Sequence, residues 1–471
     1  MRLMSYVSAI LGAAAALGMT VAGLAAPDSG EADFRGLYKE LVETNTTLSS
    51  GSCTLAAEKM AARLKAAGYT DGDVHLFSTP DHPKEGGVVA ALKGSDPAAK
   101  AILLLAHLDV VEAKRSDWQR DPFTLIEENG YFYGRGTSDD KAMAAIFTDL
   151  LIRYKREGYT PKRTIKLALT CGEETSGAFN GAEYLAKNHH DWVDAAFALN
   201  EGGSGQLDDK AHRVSLNIEA AEKVYQDYTL TATNPGGHSS RPRPDNAIYA
   251  MADALKKIAA YEFPVMINDA NRGYFIEMAK IRKDAVGKAM ADIVANPNNK
   301  AADAVLSKDP SLHTMLRTTC VATMIEGGHA PNALPQKVSA NINCRIFPGT
   351  SPEAIRQQLA KIVGDPALQI GFSGPLSPAT PAPKMGEDVL GPIRAAAAEV
   401  YPGTPVIPML MAGATDGIYM TAGGIPTYGV DGYFSDPDQG NIHGLNERVR
   451  VQSLMDGRRF HYLLVKKFAG Q

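Results

Sequence analysis

The chain has 471 residues, too many for one ordinary hydrophobic core, so at least two domains are expected. Hydrophobic residues make up 45% and charged residues 21%, the balance of a soluble globular protein rather than of a disordered or membrane-embedded one. A net charge of −5 gives no electrostatic reason to expect nucleic acid or an anionic membrane as a partner.

Arg2 precedes an apolar stretch from Tyr6 to about Ala26, with small residues at Gly23, Ala25 and Ala26. This pattern predicts a secretory signal peptide over residues 1–26 and an exported protein, periplasmic or secreted, with an uncleaved N-terminal anchor as the alternative. Residues 33–69 read as helical, and the apolar spacing from Cys53 to Ala67 stops at Gly68. Val74–Phe77 and Val88–Leu92 read as strands. Ile102-Leu103-Leu104-Leu105-Ala106 is an all-apolar run that ends on His107-Leu108-Asp109, the pattern of a strand buried on both faces. A helix is expected from Lys141 to about Arg156. Thr164–Thr170 is a strand ending in Cys171-Gly172-Glu173-Glu174, Gly181–Asn188 a helix, and Ala195–Leu199 a strand ending in Asn200-Glu201-Gly202-Gly203. Strands alternating with helices predict an α/β fold with a mostly parallel central sheet flanked by helices.

The pattern changes from about Glu219. Residues 225–232 alternate as a half-exposed strand, Asn246–Ile258 is an amphipathic helix, and 272–316 is helical and polar with a break at 296–299. Thr318–Ile325 and Val338–Phe347 form an expected hairpin, which would set Cys320 opposite Cys344; a bond there and two free thiols both fit. Cys171 reads as a buried residue, and four cysteines are too few for a disulfide scaffold. Residues 374–383 hold four prolines and read as a linker. The expected organisation is therefore 31–217 and 381–471 as two parts of a catalytic domain, with 218–380 inserted between them as an α+β lid or dimerisation domain.

His107 and Asp109 alternate to the same side at their strand end, where a metal could take one ring nitrogen and Asp109 hold the other. Taken singly, each feature has a plainer reading. His-x-Asp at a strand end is commonly a hydrogen-bonded surface pair, Asp139-Asp140 a helix cap, Glu173-Glu174 solvated helix-start acids and Glu201 a turn residue. His238 and His443 would be loop histidines, as His329 is taken to be, and Arg345 the partner of a nearby acid. Jointly, His107, Asp109, Glu173, Glu174 and Glu201 all follow apolar strand runs, and ligands of open α/β sheets bind beyond the strands' carboxyl ends. So many acids on one edge would repel one another unless a divalent cation, or two, lay among them.

These pieces, with Gly134-Arg135-Gly136-Thr137-Ser138-Asp139-Asp140-Lys141, Gly237-His238-Ser239-Ser240 and Ile442-His443-Gly444, occur in an order that resembles the zinc metallopeptidase family of aminoacylases, glutamate carboxypeptidase, carnosine-type dipeptidases and succinyl-diaminopimelate desuccinylase. The insertion at 272–316 is similar to that of the longer, carboxypeptidase S-like members. The resemblance implies two zinc ions, with cobalt or manganese able to use the same ligands. Asp139 would bridge them, His107 and Glu201 completing one set and Glu174 and His443 the other. Glu173 would be the general base, Asp109 the partner of His107, and His238 a donor to the substrate carbonyl, in many relatives from the other subunit of a dimer. Asn332, Arg345, Gly413 and Thr415 would hold a terminal carboxylate. The implied activity is hydrolysis of an amide bond in small peptides, as in carboxypeptidases and dipeptidases. The alternatives are an N-acyl amino acid amidohydrolase and a catalytically dead binding protein. A homodimer through the inserted domain, and closure about hinges near 218–222 and 374–383, are further expectations.

Overall fold

The structure, a computed structural model, describes residues 30–175 and 179–470, so the signal-peptide reading of 1–26 lies outside the described residues. Among these residues no helix is long and apolar enough to cross a membrane.

The run at 102–106 is the strand Ile102–His107, buried at every residue. Its side chains alternate between two cores. Ile102, Leu104 and Ala106 pack with Phe34, Met60, Ile146 and Phe460. Leu103 and Leu105 pack on the other face with Ala182, Leu185, Val193 and Met420. Burial of each leucine contributes roughly 2 kcal/mol, which drives such a strand to the middle of a sheet. It lies parallel to Ile165–Thr170 on one side and Phe197–Asn200 on the other, and Thr427–Gly429 continues the parallel run. Val74–Thr79 and His82–Leu92 extend one side antiparallel. Arg213–Glu222 pairs on the other side with Thr427–Gly429 and, in parallel, with Val406–Met411. The result is a ten-stranded sheet, largely parallel at its centre, with helices on both faces.

The change of pattern read near Glu219 falls inside Arg213–Glu222, a strand of this sheet; the passage to the second sheet comes at Lys223, before Val224–Thr233. Two acids, the buried Glu219 and the half-buried Glu222, sit in this largely buried strand, which disguises it. The second sheet is antiparallel, in the order Thr319–Gly327, Lys337–Ile346, Val224–Thr233, Gln369–Ser373. Helices Ala247–Ala260 and Pro352–Val363 cover one face through Met251, Tyr228, Ile342 and Leu359. The residues 272–316 lie in four helices, Asp269–Ile281, Ala285–Ala295, Lys300–Leu306 and Pro310–Leu316. They pack through Phe275, Met290 and Leu316 onto Ile407 and Met409, and so onto the ten-stranded sheet.

Both cysteine pairs are bonded. Cys320 and Cys344 stand directly opposite in the hairpin register. Cys171 is joined to Cys53, 118 residues away at the start of helix Cys53–Ala66, a pairing for which the sequence offers no sign.

Candidate metal centre

The parallel register aligns the strand ends. His107 lies opposite Thr170, so Glu173 and Glu174 follow a few residues beyond the same sheet edge, and Glu201 follows Phe197–Asn200. Gly172 makes the turn possible: its φ is +97°, and a Cβ there would lie 1.8 Å from the Phe179 carbonyl oxygen. Gly202 likewise has φ +113° and leaves room for a Glu219 carboxylate oxygen that a Cβ would meet at 2.2 Å.

Asp139 stands between two histidines. His107 Nε2 is 3.1 Å from Asp139 Oδ1, and His443 Nε2 is 3.0 Å from Asp139 Oδ2. Glu201 Oε1 lies 3.6 Å from His107 Nε2, and Glu174 Oε1 lies 3.0 Å from His443 Nε2. Two three-residue groups result, His107–Asp139–Glu201 and Asp139–Glu174–His443, each with its donor atoms within 4.8 Å of one another. Glu173 stands with His107 and Glu174 in a third such group. A Cys53–Asp109–Cys171 group has the same compactness, but its sulfurs are bonded to each other and are not available as ligands.

The charge balance follows from this packing. Burial and then the charge of Glu201 push Glu173 well above the ordinary glutamate range, and burial raises Glu201 to about 7. Hydrogen bonds to Asp139 and Glu174 raise His443 to about 10. For Asp139 burial acts upward, but its contacts with His107 and His443 outweigh it and hold the carboxyl low. The donors are imidazole nitrogens and carboxylate oxygens, sharing one carboxylate with an oxygen on each side, and this set fits a pair of divalent ions such as zinc, cobalt or manganese.

The surroundings differ in part from expectation. His107 Nδ1 hydrogen-bonds the Asp109 backbone carbonyl at 3.0 Å, while the Asp109 carboxylate stands 3.6 Å away and accepts from Glu174 N–H at 3.0 Å. Asp109 therefore orients both a histidine and a glutamate of the cluster. Asp140 precedes helix Lys141–Arg156 without capping it and instead accepts from the His107 N–H at 3.3 Å.

The residues assigned to the substrate are less gathered. His238 is exposed and pairs with Ala333 across a short ladder; Ser239 N–H donates to the Asn332 carbonyl at 2.9 Å, so His238 and Asn332 share one surface. Among the described residues the His238 ring bonds only Ser240, and it makes no hydrogen bond or ion pair with the five cluster residues. Arg345 makes no ion pair among the described residues. Its guanidinium lies over the Tyr225 ring at 4.6 Å and feels the charge of Asp227 and, less strongly, that of Glu173. Thr415 Oγ1 accepts from Asn200 Nδ2 at 3.0 Å, beside Glu201, whereas a side chain at Gly413 would meet nothing within 4 Å. Two residues absent from the expected set are prominent here, Arg135 and Glu447, an ion pair at 2.7 Å. Arg135 stood within a motif that carried it unnoticed; Glu447 follows no strand and joins no pattern.

A largely parallel α/β sheet with this acid and imidazole cluster at its strand ends is that of a metal-dependent hydrolase. The chain belongs to Peptidase family M20/M25/M40, whose sequence profile matches residues 103–467. It is 27% identical over 387 residues to the human N-fatty-acyl-amino acid synthase/hydrolase PM20D1, covering 80% of this chain and 75% of that one. It is 26% identical over 391 residues to the probable carboxypeptidase S-like 2 of Dictyostelium discoideum, covering 79% and 73%. Among solved structures, the M20 family metallo-carboxypeptidase Sso-CP2 from Sulfolobus solfataricus matches with a TM-score of 0.68 at 20% identity, covering 93% of this chain and 99% of that one. Human carnosine dipeptidase 1 matches with a TM-score of 0.62 at 14% identity, covering 94% and 98%.

Proposed function

We propose that this enzyme is an exported di-zinc hydrolase of small amides that end in a free carboxylate, either peptides or N-acyl amino acids. The observation that carries the reading is the single carboxylate of Asp139 set between His107 and His443, with Glu173 beside them. His107, Asp139 and Glu201 would hold one ion and Asp139, Glu174 and His443 the other. Bound ions would supply a low-pKa water and polarise the scissile carbonyl. Glu173 would take the proton of the attacking water and return it to the leaving nitrogen, a role suited to a carboxylate that burial and the charge of Glu201 hold above the ordinary glutamate range. Arg345, which stacks on Tyr225 and makes no direct ion pair among the described residues, would hold the substrate's terminal carboxylate in its planar fork, with the Asn332 and 413–415 loops beside it. His238 would reach the carbonyl on closure of the second sheet over the first, or from a second subunit.

Export is supported by the 1–26 pattern together with two disulfides, bonds that persist in oxidising compartments. A homodimer is supported by the strand Thr319–Gly327, which is paired on one side only and exposes Val321, Met324 and Ile325. The N-acyl amino acid reading draws on relatives named N-fatty-acyl-amino acid synthase/hydrolase, and the peptidase reading on those named carboxypeptidase S-like. Metal analysis of the purified protein, followed by assays on dipeptides and on N-acyl amino acids of increasing acyl length, separates them. Turnover confined to one class selects that reading. Protein that takes up no divalent metal and cleaves neither class would end both.

A further inference from the structure

Asp139 and His443 lie on irregular loops, unlike His107, which a fully buried strand holds. The His443 side chain is 53% exposed, so little packing fixes it. Beneath both loops lies Glu447, which is fully buried. Its carboxylate accepts from the backbone N–H groups of Gly136 at 3.0 Å, Ser138 at 2.8 Å and Asp139 at 3.2 Å. It also pairs with Arg135 at 2.7 Å. The other arm of the Arg135 guanidinium donates at 3.0 Å to the carbonyl of Gly444, the residue after His443, and the group stacks 5.0 Å from the Trp118 ring. One buried ion pair thus ties the 134–140 turn, which carries Asp139, to the 443–447 loop, which carries His443.

We propose that Arg135 and Glu447 are a positioning pair that sets the separation of Asp139 and His443, so that the Asp139–Glu174–His443 half of the centre depends on them. The inference rests on the metal-centre reading above. The other half has its own supports: His107 is held through its N–H and Nδ1 by Asp140 and by the Asp109 carbonyl. The planar guanidinium suits the task because it can donate to Glu447 and to Gly444 at once, which an ammonium on a shorter reach does not reproduce. A carboxylate is needed at 447 because several N–H donors converge on it.

The test is titration of the chelator-stripped full chain with Co2+, followed by absorption spectroscopy and calorimetry, alongside the melting temperature of the metal-free protein. Wild type should take up two ions. Arg135→Lys keeps a charge beside Glu447 and is expected to weaken the ion of the Asp139–Glu174–His443 set by roughly 10- to 100-fold, with the other ion, which shares only Asp139 and keeps His107 and Glu201, weakened clearly less and the metal-free melting temperature near wild type. Glu447→Gln should act in the same direction and more strongly. Removing a buried partner can also unfold a protein, which is why the lysine variant is the decisive one. Wild-type affinities in Arg135→Lys, or equal weakening of both ions with a matching fall in melting temperature, would overturn the positioning role. A wild-type protein that binds no ion would instead overturn the metal centre itself, and the proposal with it.

Discussion

Cys53 and Cys171 are covalently joined across 118 residues, which fastens the start of helix Cys53–Ala66 to the strand end from which Glu173 and Glu174 project. The bond closes a long loop and also fixes a backbone position two residues from the proposed base. Replacing both cysteines by serine is expected to lower unfolding stability by about 3 kcal/mol in denaturant titrations. It should also lower kcat. The same change at Cys320 and Cys344, a pair within the second sheet, should lower stability and leave the metal content untouched. Equal kcat in wild type and the Cys53/Cys171 variant would show that the tether serves the fold alone.

Glu173→Gln keeps the shape of the side chain and removes its capacity to take a proton. Hydrolysis should fall by about 10²- to 10⁴-fold while both metal ions remain. His443→Ala should behave oppositely and lose metal first, since His443 would be a direct ligand. Chelation should abolish turnover, with zinc, cobalt or manganese restoring it. Metal analysis beside steady-state kinetics distinguishes these cases, and a Glu173→Gln enzyme of normal turnover would remove Glu173 from the mechanism.

The exposed strand Thr319–Gly327 leads to a third expectation. A lysine in place of Ile325, which is 63% exposed, should block edge-to-edge pairing without disturbing the fold. Sedimentation should show a dimeric wild type and a monomeric variant. If His238 acts from the partner subunit, the monomer and His238→Ala should lose kcat to a similar degree, both with full metal content. A monomeric wild type of full activity would place His238 in its own subunit's cleft.

His461 is fully buried, with Nε2 bonded to the Asp431 carbonyl at 2.9 Å, and burial lowers its pKa to about 4. The unfolded chain therefore takes up a proton near pH 6.5 that the folded chain refuses until near pH 4. Stability linked to this group is fully present above 6.5 and is lost as pH falls through that window, by up to roughly 3 kcal/mol. His461→Gln keeps a donor for the carbonyl but cannot titrate. The difference in unfolding free energy between the two proteins should shift with pH between 6.5 and 4, and a constant difference would contradict the account.

How far the sequence could be read depended on how local the cause was. The strand at 102–107 was visible because five successive buried residues, 102–106, are apolar, and His107 was conspicuous because it breaks that run. The strand at 213–222 was obscured because it carries Glu219 and Glu222 inside the protein. The hairpin register that sets Cys320 against Cys344 could be anticipated from the turn between them, but the partner of Cys171 could not, since nothing near either cysteine points to the other.

Strand periodicity was enough by itself to predict an α/β fold with acids delivered to one sheet edge, and the ordered motifs carried the resemblance to a metallopeptidase family. Tertiary structure alone decided that Asp139 offers one oxygen to each histidine, that Glu447 and Arg135 lie beneath both loops, and that the helices of 269–316 rest on the larger sheet. The reason is physical: alternation and helical periodicity are properties of neighbouring residues. The meeting of residues about 300 positions apart depends on how strands stack, and on loops whose conformation no local pattern dictates.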